Sequence, residues 1–460
     1  MATEVLFPYQ QAGAEWLSMR KQALLGDDMG LGKSAQAVTA CDRVGAQRIL
    51  VACPASLKTN WAREFQKFSD RKLPIKVIDK ATDEVPTEGV VIVSYDLATP
   101  TKQIGSSPRK TLHDSLKQAW DVVILDEAHY LKERTTLRTR SFYGHRKVAG
   151  IADAATFVWR LTGTPAPNDA SELWTHLTHM GAVKSQYWDF TFRYCTGFES
   201  NFGFKVTGHR NVEELKGVME PYFLRRKKEE VMKDLPPIVY QEMVVDRSKV
   251  DLDPVFYFRI KKLGSEGALL SEIQSQDQRL REALAQVNGT EVETLESLAS
   301  SMATLRQYTA MAKLPSILDI IYEELESGAI EKIVLFGIHR TVIEEARVRL
   351  AKFGAVTLYG QTPLPKRQYN VDRFQTDKKT RVFIGNIQAA GTGITLTAAH
   401  EAAFLEMDWT PANNAQAAMR IHRIGQDKPV RVRMFSLAKS VDEAVTKALI
   451  RKTRELSKIF

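Results

Sequence analysis

Cysteine is scarce: Cys41, Cys53 and Cys195 are the only ones in 460 residues, and no two of them form a CxxC pair. That scarcity excludes a disulfide framework and a thiolate zinc site, and it implies a reducing compartment. Long apolar runs are missing too. No stretch approaches the roughly 18 consecutive apolar residues of a membrane-spanning helix, and the opening MATEVLFPYQQ lacks a basic start followed by an apolar core. No membrane partner is therefore expected. A soluble intracellular protein is, in cytoplasm or nucleoid, or in a host cell if the source is viral. Compositional bias is also lacking: hydrophobic residues make up 44% and charged residues 26%, so a disordered or collagenous chain is excluded.

Lys and Arg number 64 against 55 Asp and Glu, a formal net charge of +9 that suits a polyanion such as nucleic acid. At about 150 residues per domain the length predicts more than one domain. Short β-branched runs alternate with helix-like segments through the first third, at Ile49 to Cys53, Val90 to Ser94, Val122 to Leu125 and Phe157 to Leu161. The rhythm returns at Ile333 to Phe336, Val356 to Tyr359, Val382 to Gly385, Ala403 to Glu406 and Val430 to Leu437. Continuous apolar strands of this length indicate parallel sheets covered on both faces. The fold class is therefore α/β, with two parallel-sheet lobes in tandem. Between them, from Val255 to Met311, Leu295, Leu298, Met302 and Leu305 recur at helical spacing and Asn288-Gly289 breaks the pattern, which predicts an inserted helical hairpin. Val441 to Ile459 reads as a closing amphipathic helix with a basic, solvated face. The expected domains are 1–236, a linker and helical insertion at 237–330, and 331–460.

After Ala23-Leu24-Leu25 comes GDDMGLGKSAQAV, residues 26–38, a glycine-rich turn running into a helix-forming stretch. Glycines such as Gly30 and Gly32 let backbone N–H groups wrap a phosphate chain. Lys33 adds a point charge on the terminal phosphates, and Ser34 can ligate magnesium. The strict pattern GxxxxGK[ST] would put glycine where Asp27 stands. Ninety residues on, VVILDEAHYLKE ends an apolar strand with Asp126-Glu127, two carboxylates at a strand's C-terminal end. Asp126 can hold Mg²⁺, directly or through water, while Glu127 polarises the attacking water, a division of labour that phosphoryl transfer needs. In QAAMRIHRIGQ, residues 416–426, Arg420 and Arg423 stand three apart and would share a face if helical. A guanidinium reaching a γ-phosphate from a second domain is worth about 10³ to 10⁵ in rate.

Taken in order, these segments resemble the Swi/Snf family of superfamily 2 helicase-like ATPases along nearly the whole chain. FPYQQAGAEWL at 7–17 is similar to that family's adenine-reading segment, with Gln10 as the reader, and DDMGLGKS to its phosphate loop, which regularly begins with aspartate. VACPASLKTNWAREF at 51–65 and VIVSYD at 91–96 resemble first-lobe strand-contacting motifs, DEAHYLK at 126–132 the magnesium box, and LTGTPAPN at 161–168 the coupling motif. VLFGIHR at 334–340, LYGQT at 358–362, GNIQAAGTGITLTAA at 385–399 and RIHRIGQ at 420–426 follow in the family's order. RYC at 193–195, AAGTGITLTAA and Trp409 to Pro411 are most similar to the branch of annealing helicases that rewind DNA and remodel forks. Asn386-Ile387 departs from the Ser-Thr of much of the wider family.

The resemblance implies two RecA-like lobes, ATP with Mg²⁺ in a cleft between them lined also by Gly393, and translocation on double-stranded DNA without durable strand separation. Double-stranded or forked DNA, and proteins bound to it, are the implied partners of a monomer. Motif position makes Ser56, Lys58, Ser94 and Thr392 the expected DNA contacts. LRRKKEEVM at 224–232 either touches DNA or forms the basic end of the first lobe. Glu172, His176 and His179 fall at helical spacing but lack a metalloprotease pattern, so structural histidines are expected. His129 is expected to couple the magnesium box to the next motif. Two other readings stay open: a strand-separating DNA or RNA helicase, and a non-hydrolysing nucleotide-gated clamp.

Overall fold

The computed structural model describes residues 6–100, 111–145, 148–166, 168–200, 203–246, 295–390, 394–408 and 410–438. They fall into two compact units that divide between Lys233 and Asp234. The strands of the first unit are β1 (Gln22–Leu25), β2 (Arg48–Cys53), β3 (Ile75–Val77), β4 (Gly89–Ser94), β5 (Val122–Asp126), β6 (Phe157–Leu161), β7 (Cys195–Ser200), β8 (Gly203–His209) and β9 (Phe223–Leu224). Seven form one sheet in the order β3-β4-β2-β5-β6-β1-β9, while β7 and β8 make a separate antiparallel hairpin. Neighbouring strands of the larger sheet are all parallel.

A parallel sheet needs crossovers, and the crossovers here bury both faces. Ile49, Val51, Ile92 and Ile124 join one core with Ala37, Val38 and Trp61 of the helices Lys33–Arg43 and Lys58–Phe68. The alternate residues Leu50, Ala52, Val91 and Val123 join another, with Tyr95, Trp120 and Phe142. Period-two alternation between two apolar layers is why these strands read as unbroken hydrophobic runs.

The second unit contains β10 (Ile238–Val245), β11 (Ile333–Gly337), β12 (Ala355–Leu358), β13 (Val382–Asn386), β14 (Glu401–Phe404) and β15 (Val430–Leu437), in the order β10-β15-β14-β11-β13-β12. All neighbours are parallel here as well. The expected pair of tandem parallel-sheet, RecA-like lobes is thus present. Of the expected linker and helical insertion at 237–330, residues 247–294 lie outside the described residues. Strand β10 extends the second sheet beside β15, and the helix Leu295–Glu326 buries Leu314, Ile317, Leu318, Ile321 and Leu325 in that unit's core. Those residues keep an i, i+3, i+4, i+7 stripe, so the helix is held by packing even with Pro315 inside it. The first arm of the expected hairpin, its break at Asn288-Gly289 and the closing helix from Val441 lie outside the described residues. Strand β14 also ends at Phe404, two residues before the expected Glu406, which frees that carboxylate for the loop at 338–339.

Glu172, His176 and His179 do not converge. Glu172 pairs with Lys132 at 2.6 Å, His176 Nδ1 meets the Tyr143 hydroxyl at 2.9 Å, and His179 lies between the Arg160 guanidinium and Asp153 Oδ1, 3.1 Å away. Burial, then the Arg160 charge, holds His176 well below the usual histidine range. The unfolded chain takes up a proton near pH 6.5 that the folded chain refuses, so this histidine lowers stability as pH falls. Replacing His176 with Gln should make the pH dependence of stability shallower by about one proton below pH 6.5, or about 1.4 kcal/mol per pH unit. Urea unfolding from pH 8 to pH 5 checks this, and parallel curves for the two proteins would refute it.

Candidate nucleotide site

Strands β5, β6 and β1 are neighbours in the first sheet, so the segments leaving their C-terminal ends share one edge. From β1 the chain enters the glycine loop and then the helix Lys33–Arg43. Gly30 and Gly32 both adopt left-handed backbone, with φ of 86° and 73°. A Cβ on Gly32 would also stand 2.3 Å from Gln10 Nε2, so any other residue there would displace that side chain as well as strain the backbone. Lys33 Nζ donates to the carbonyls of Asp27 (2.6 Å) and Asp28 (3.2 Å), which folds the side chain over the loop. Burial pushes the lysine pKa down, and the charges of Glu127, Asp27, Asp126 and Asp28 oppose that shift. Ser34 follows at the helix N-terminus, where amide N–H groups lack intrahelical partners.

Strand β5 ends at Asp126, and the chain turns out of it through Glu127 in left-handed backbone (φ 51°). A non-glycine residue there costs about 1 kcal/mol or more. Asp126 Oδ2 accepts the Trp61 indole N–H (2.7 Å) and Oδ1 accepts the Glu127 amide (3.0 Å), so the buried carboxylate has one orientation. Burial, and then the Glu127 charge, lifts its pKa to about 7, against the Trp61 hydrogen bond and Lys33. His129 Nδ1 lies 3.0 Å from Thr162 Oγ1 and 3.3 Å from Glu127 Oε2, joining the turn after β5 to the turn after β6. Burial, then Lys132 and Lys33, pushes that histidine down to about 3, so it stays neutral and orients its neighbours instead of carrying charge.

The structure brings together Gly30, Gly32, Lys33, Ser34, Asp126 and Glu127 on this edge. Other expected residues are placed differently. Gln10, the expected base reader, is 5% exposed, and its amide is spent inside the protein, accepting from Phe7 N (3.0 Å) and donating to Leu31 O (3.2 Å). Lys58, an expected DNA contact, is buried with its ammonium on Ile78 O (2.7 Å) and Asp79. Ser94, another, is 2% exposed and caps the helix Tyr95–Ala98 by accepting from Leu97 N. Both placements have one cause: a polar group packed under a crossover must satisfy itself locally. Ser56 stays partly exposed in the turn Ala55–Leu57. Thr392 and Gly393 lie outside the described residues. In the basic run at 224–232, Arg225 and Arg226 face inward and pair with Asp28 and Asp27.

In the second unit the helix Pro411–Ala418 stops before Arg420, so Arg420 and Arg423 sit in the turns beyond it and do not share a helical face. Arg420 O accepts Leu396 N (2.9 Å), and Arg423 Nη1 donates to Ile394 O (3.2 Å). Asn386, the departure from Ser-Thr, has its own work. Its Oδ1 accepts the amides of Gln388 (3.1 Å) and Ala389 (3.2 Å), and its Nδ2 donates to Ile338 O (2.8 Å). Glu406 takes the amides of Ile338 (2.7 Å) and His339 (2.8 Å) and the His339 ring, fixing the same loop from below.

Sequence reasoning overlooked Trp61, Gln36 and the inward role of Arg225 and Arg226. A buried tryptophan needs a partner for its N–H, which was the available signal for Trp61. Nothing local marks the others.

The SNF2-related domain matches residues 9–313 and the helicase conserved C-terminal domain residues 313–425. A SWI/SNF-related matrix-associated actin-dependent regulator of chromatin subfamily A-like protein 1 homolog of Caenorhabditis elegans is 31% identical over 96% of this chain and 60% of its own length. The DNA annealing helicase and endonuclease ZRANB3 of Mus musculus is 30% identical over 98% of this chain and 40% of its own length. This chain therefore spans less than two thirds of either relative. Among solved structures, the Sulfolobus solfataricus SWI2/SNF2 ATPase core in complex with dsDNA aligns over 100% of this chain and 97% of that one, at 22% identity and a TM-score of 0.44. With the SNF2-related domain spanning well over half of its residues and the helicase C-terminal domain directly following, the chain belongs to the SNF2-related (Swi/Snf) family.

Proposed function

We propose that this chain hydrolyses ATP to translocate along double-stranded DNA and remodel DNA or protein–DNA complexes, annealing and fork remodelling included. The observation that carries the ATPase part is the convergence of Lys33, Asp126 and Glu127 on one sheet edge beside a left-handed glycine loop. A polyphosphate fits that edge: amides at a helix N-terminus, a lysine held over the loop and an oriented carboxylate are the groups such a ligand needs. The donors also fit Mg²⁺, which takes hard oxygen ligands and keeps several waters and substrate phosphates. Ser34 and Asp126 would hold the ion, which supplies charge neutralisation on the phosphate oxygens when bound.

Lys33 supplies a point charge to the terminal phosphates, and its neighbouring carboxylates oppose the downward push of burial on its pKa. Glu127 orients the attacking water and accepts its proton, while neutral His129 ties the Glu127 turn to Thr162. Arg420 and Arg423 are assigned to the developing phosphate charge by their motif. The DNA part rests on the net charge of +9 and on relatives whose names describe DNA annealing. No described helix is long and apolar enough to cross a membrane.

Replacing Glu127 with Gln should leave ATP affinity within about threefold and cut turnover by about 10² or more. Arg423→Ala should lower turnover by about 10³ with nucleotide affinity broadly intact. Steady-state ATPase assays with a fluorescent-nucleotide titration check both, and normal turnover in either variant removes the assigned role. ATPase rates should rise with duplex or forked DNA more than with single strands or RNA. DNA affinity should fall with salt, at a log–log slope of about −0.9 per phosphate contacted, with little sequence preference. A triplex-displacement assay beside a forked-duplex unwinding assay decides the mode: unwinding without displacement would make the chain a strand-separating helicase. Binding of nucleotide without turnover on any polymer would leave only the clamp.

A further inference from the structure

Asp27 and Asp28 put two carboxylates into a loop whose task is to attract phosphate, and like charge beside a polyphosphate repels it. Each is met by an arginine from one segment two hundred residues away. Asp27 is fully buried. Its Oδ1 accepts the Arg226 amide (3.1 Å) and Nε (3.0 Å), and its Oδ2 accepts Arg226 Nη2 and Gln36 Nε2 (3.0 Å). Arg226 Nη2 also donates to Gln36 Oε1 (2.7 Å), and Nη1 to Tyr9 O. A Cβ on Gly13 would meet Gln36 Oε1 at 1.9 Å and Arg226 Nη2 at 2.6 Å, so the helix Pro8–Ser18 has no side chain where this cluster closes against it.

Asp28 is held the same way, by Arg225 Nη2 on Oδ1 (3.1 Å) and the Lys228 amide on Oδ2 (3.1 Å). Arg225 Nη1 meanwhile donates to Gly26 O (3.0 Å) and to Gly163 O (3.2 Å), so one guanidinium spans the glycine loop and the turn after β6. Main-chain bonds continue the seam: Gly26 N to Leu224 O (2.7 Å) and Asp28 N to Arg226 O (3.0 Å), in line with the β1–β9 pairing.

We propose that Arg225 and Arg226 are positioning residues for the nucleotide site. They neutralise Asp28 and Asp27 and brace residues 26–32 as a phosphate cradle, so nucleotide affinity depends on the segment 223–228. The proposal rests on the nucleotide reading given above. Its kinetic signature follows from the physics. Unmasked carboxylates repel the triphosphate equally in ground and transition states, so the loss falls on KM and spares kcat. Removing both the arginine and its aspartate charge leaves no unpaired ion, so the double variant recovers.

The test uses the full chain with saturating duplex DNA. Wild type is measured first for ATP turnover and for binding of a fluorescent ATP analogue; absence of both would refute the nucleotide reading itself. With wild type active, Arg226→Met should raise KM at least tenfold, with kcat changing less than threefold. Arg226→Met combined with Asp27→Asn should recover at least half of that loss on a logarithmic scale. Arg225→Lys, which keeps the charge but cannot span three acceptors, should raise KM several-fold with an unchanged melting temperature. DNA affinity should match wild type in each. KM within twofold of wild type, a loss confined to kcat, a double variant no better than Arg226→Met, or weakened DNA binding at unchanged KM would each overturn the proposal. If Arg226→Met does not fold, Arg225→Met and its combination with Asp28→Asn decide the matter by the same criteria.

Discussion

Burying both faces of a parallel sheet leaves a chain only one economical place for polar chemistry, the rim where strands end and crossovers begin. In the first unit the rim beyond β5, β6 and β1 collects Asp126, Glu127, Thr162, Gly163 and the glycine loop within a few turns of one another. Every one of these groups is close to apolar layers, so every one must be satisfied or shifted. Asp126 is lifted to about 7 and His129 pushed to about 3 by the same cause, burial, acting on groups of opposite charge.

Satisfaction at that rim is shared between motifs, which couples them. Trp61 from a crossover helix orients Asp126, and the Tyr95 hydroxyl donates to the Asp126 carbonyl. His129 reaches Thr162. Lys132 pairs with Glu172, whose carboxylate also takes the Asn168 amide, tying the 126–132 segment to the end of 161–168. Arg225 then joins Gly163 to Gly26. A change in any one turn therefore loads its neighbours through hydrogen bonds of about 3 Å, without a separate relay. In the second unit, Asn386 and Glu406 fix the 338–339 loop to the ends of β13 and β14 by the same economy.

The departures from simple patterns turn out to be compensated in tertiary structure. Asp27 stands where a strict phosphate loop would have glycine, and it survives there because Arg226 and Gln36 enclose it. Asn386 replaces a hydroxyl residue with an amide that both caps a short helix and holds a loop carbonyl, two tasks that need a donor and an acceptor on one side chain. Each local violation marks a place where the surroundings were shaped to it.

The two parallel sheets were legible because strands buried on both faces are continuous apolar runs, and nine such runs were bounded to within two residues. The phosphate loop and the Asp126-Glu127 pair were legible because their chemistry is local: glycines, a lysine and carboxylates contiguous in the chain. The sequence determined these by itself. Strand β10, the two-residue β9 and the β7–β8 hairpin left no such pattern, since edge and outlying strands lack a two-sided apolar layer. What only the tertiary structure decided was the direction of each polar side chain. Lys58, Ser94 and Gln10 turned inward, and Arg225 and Arg226 closed on aspartates two hundred residues away, because a buried charge takes the partner the fold brings to it, at a sequence distance no spacing encodes.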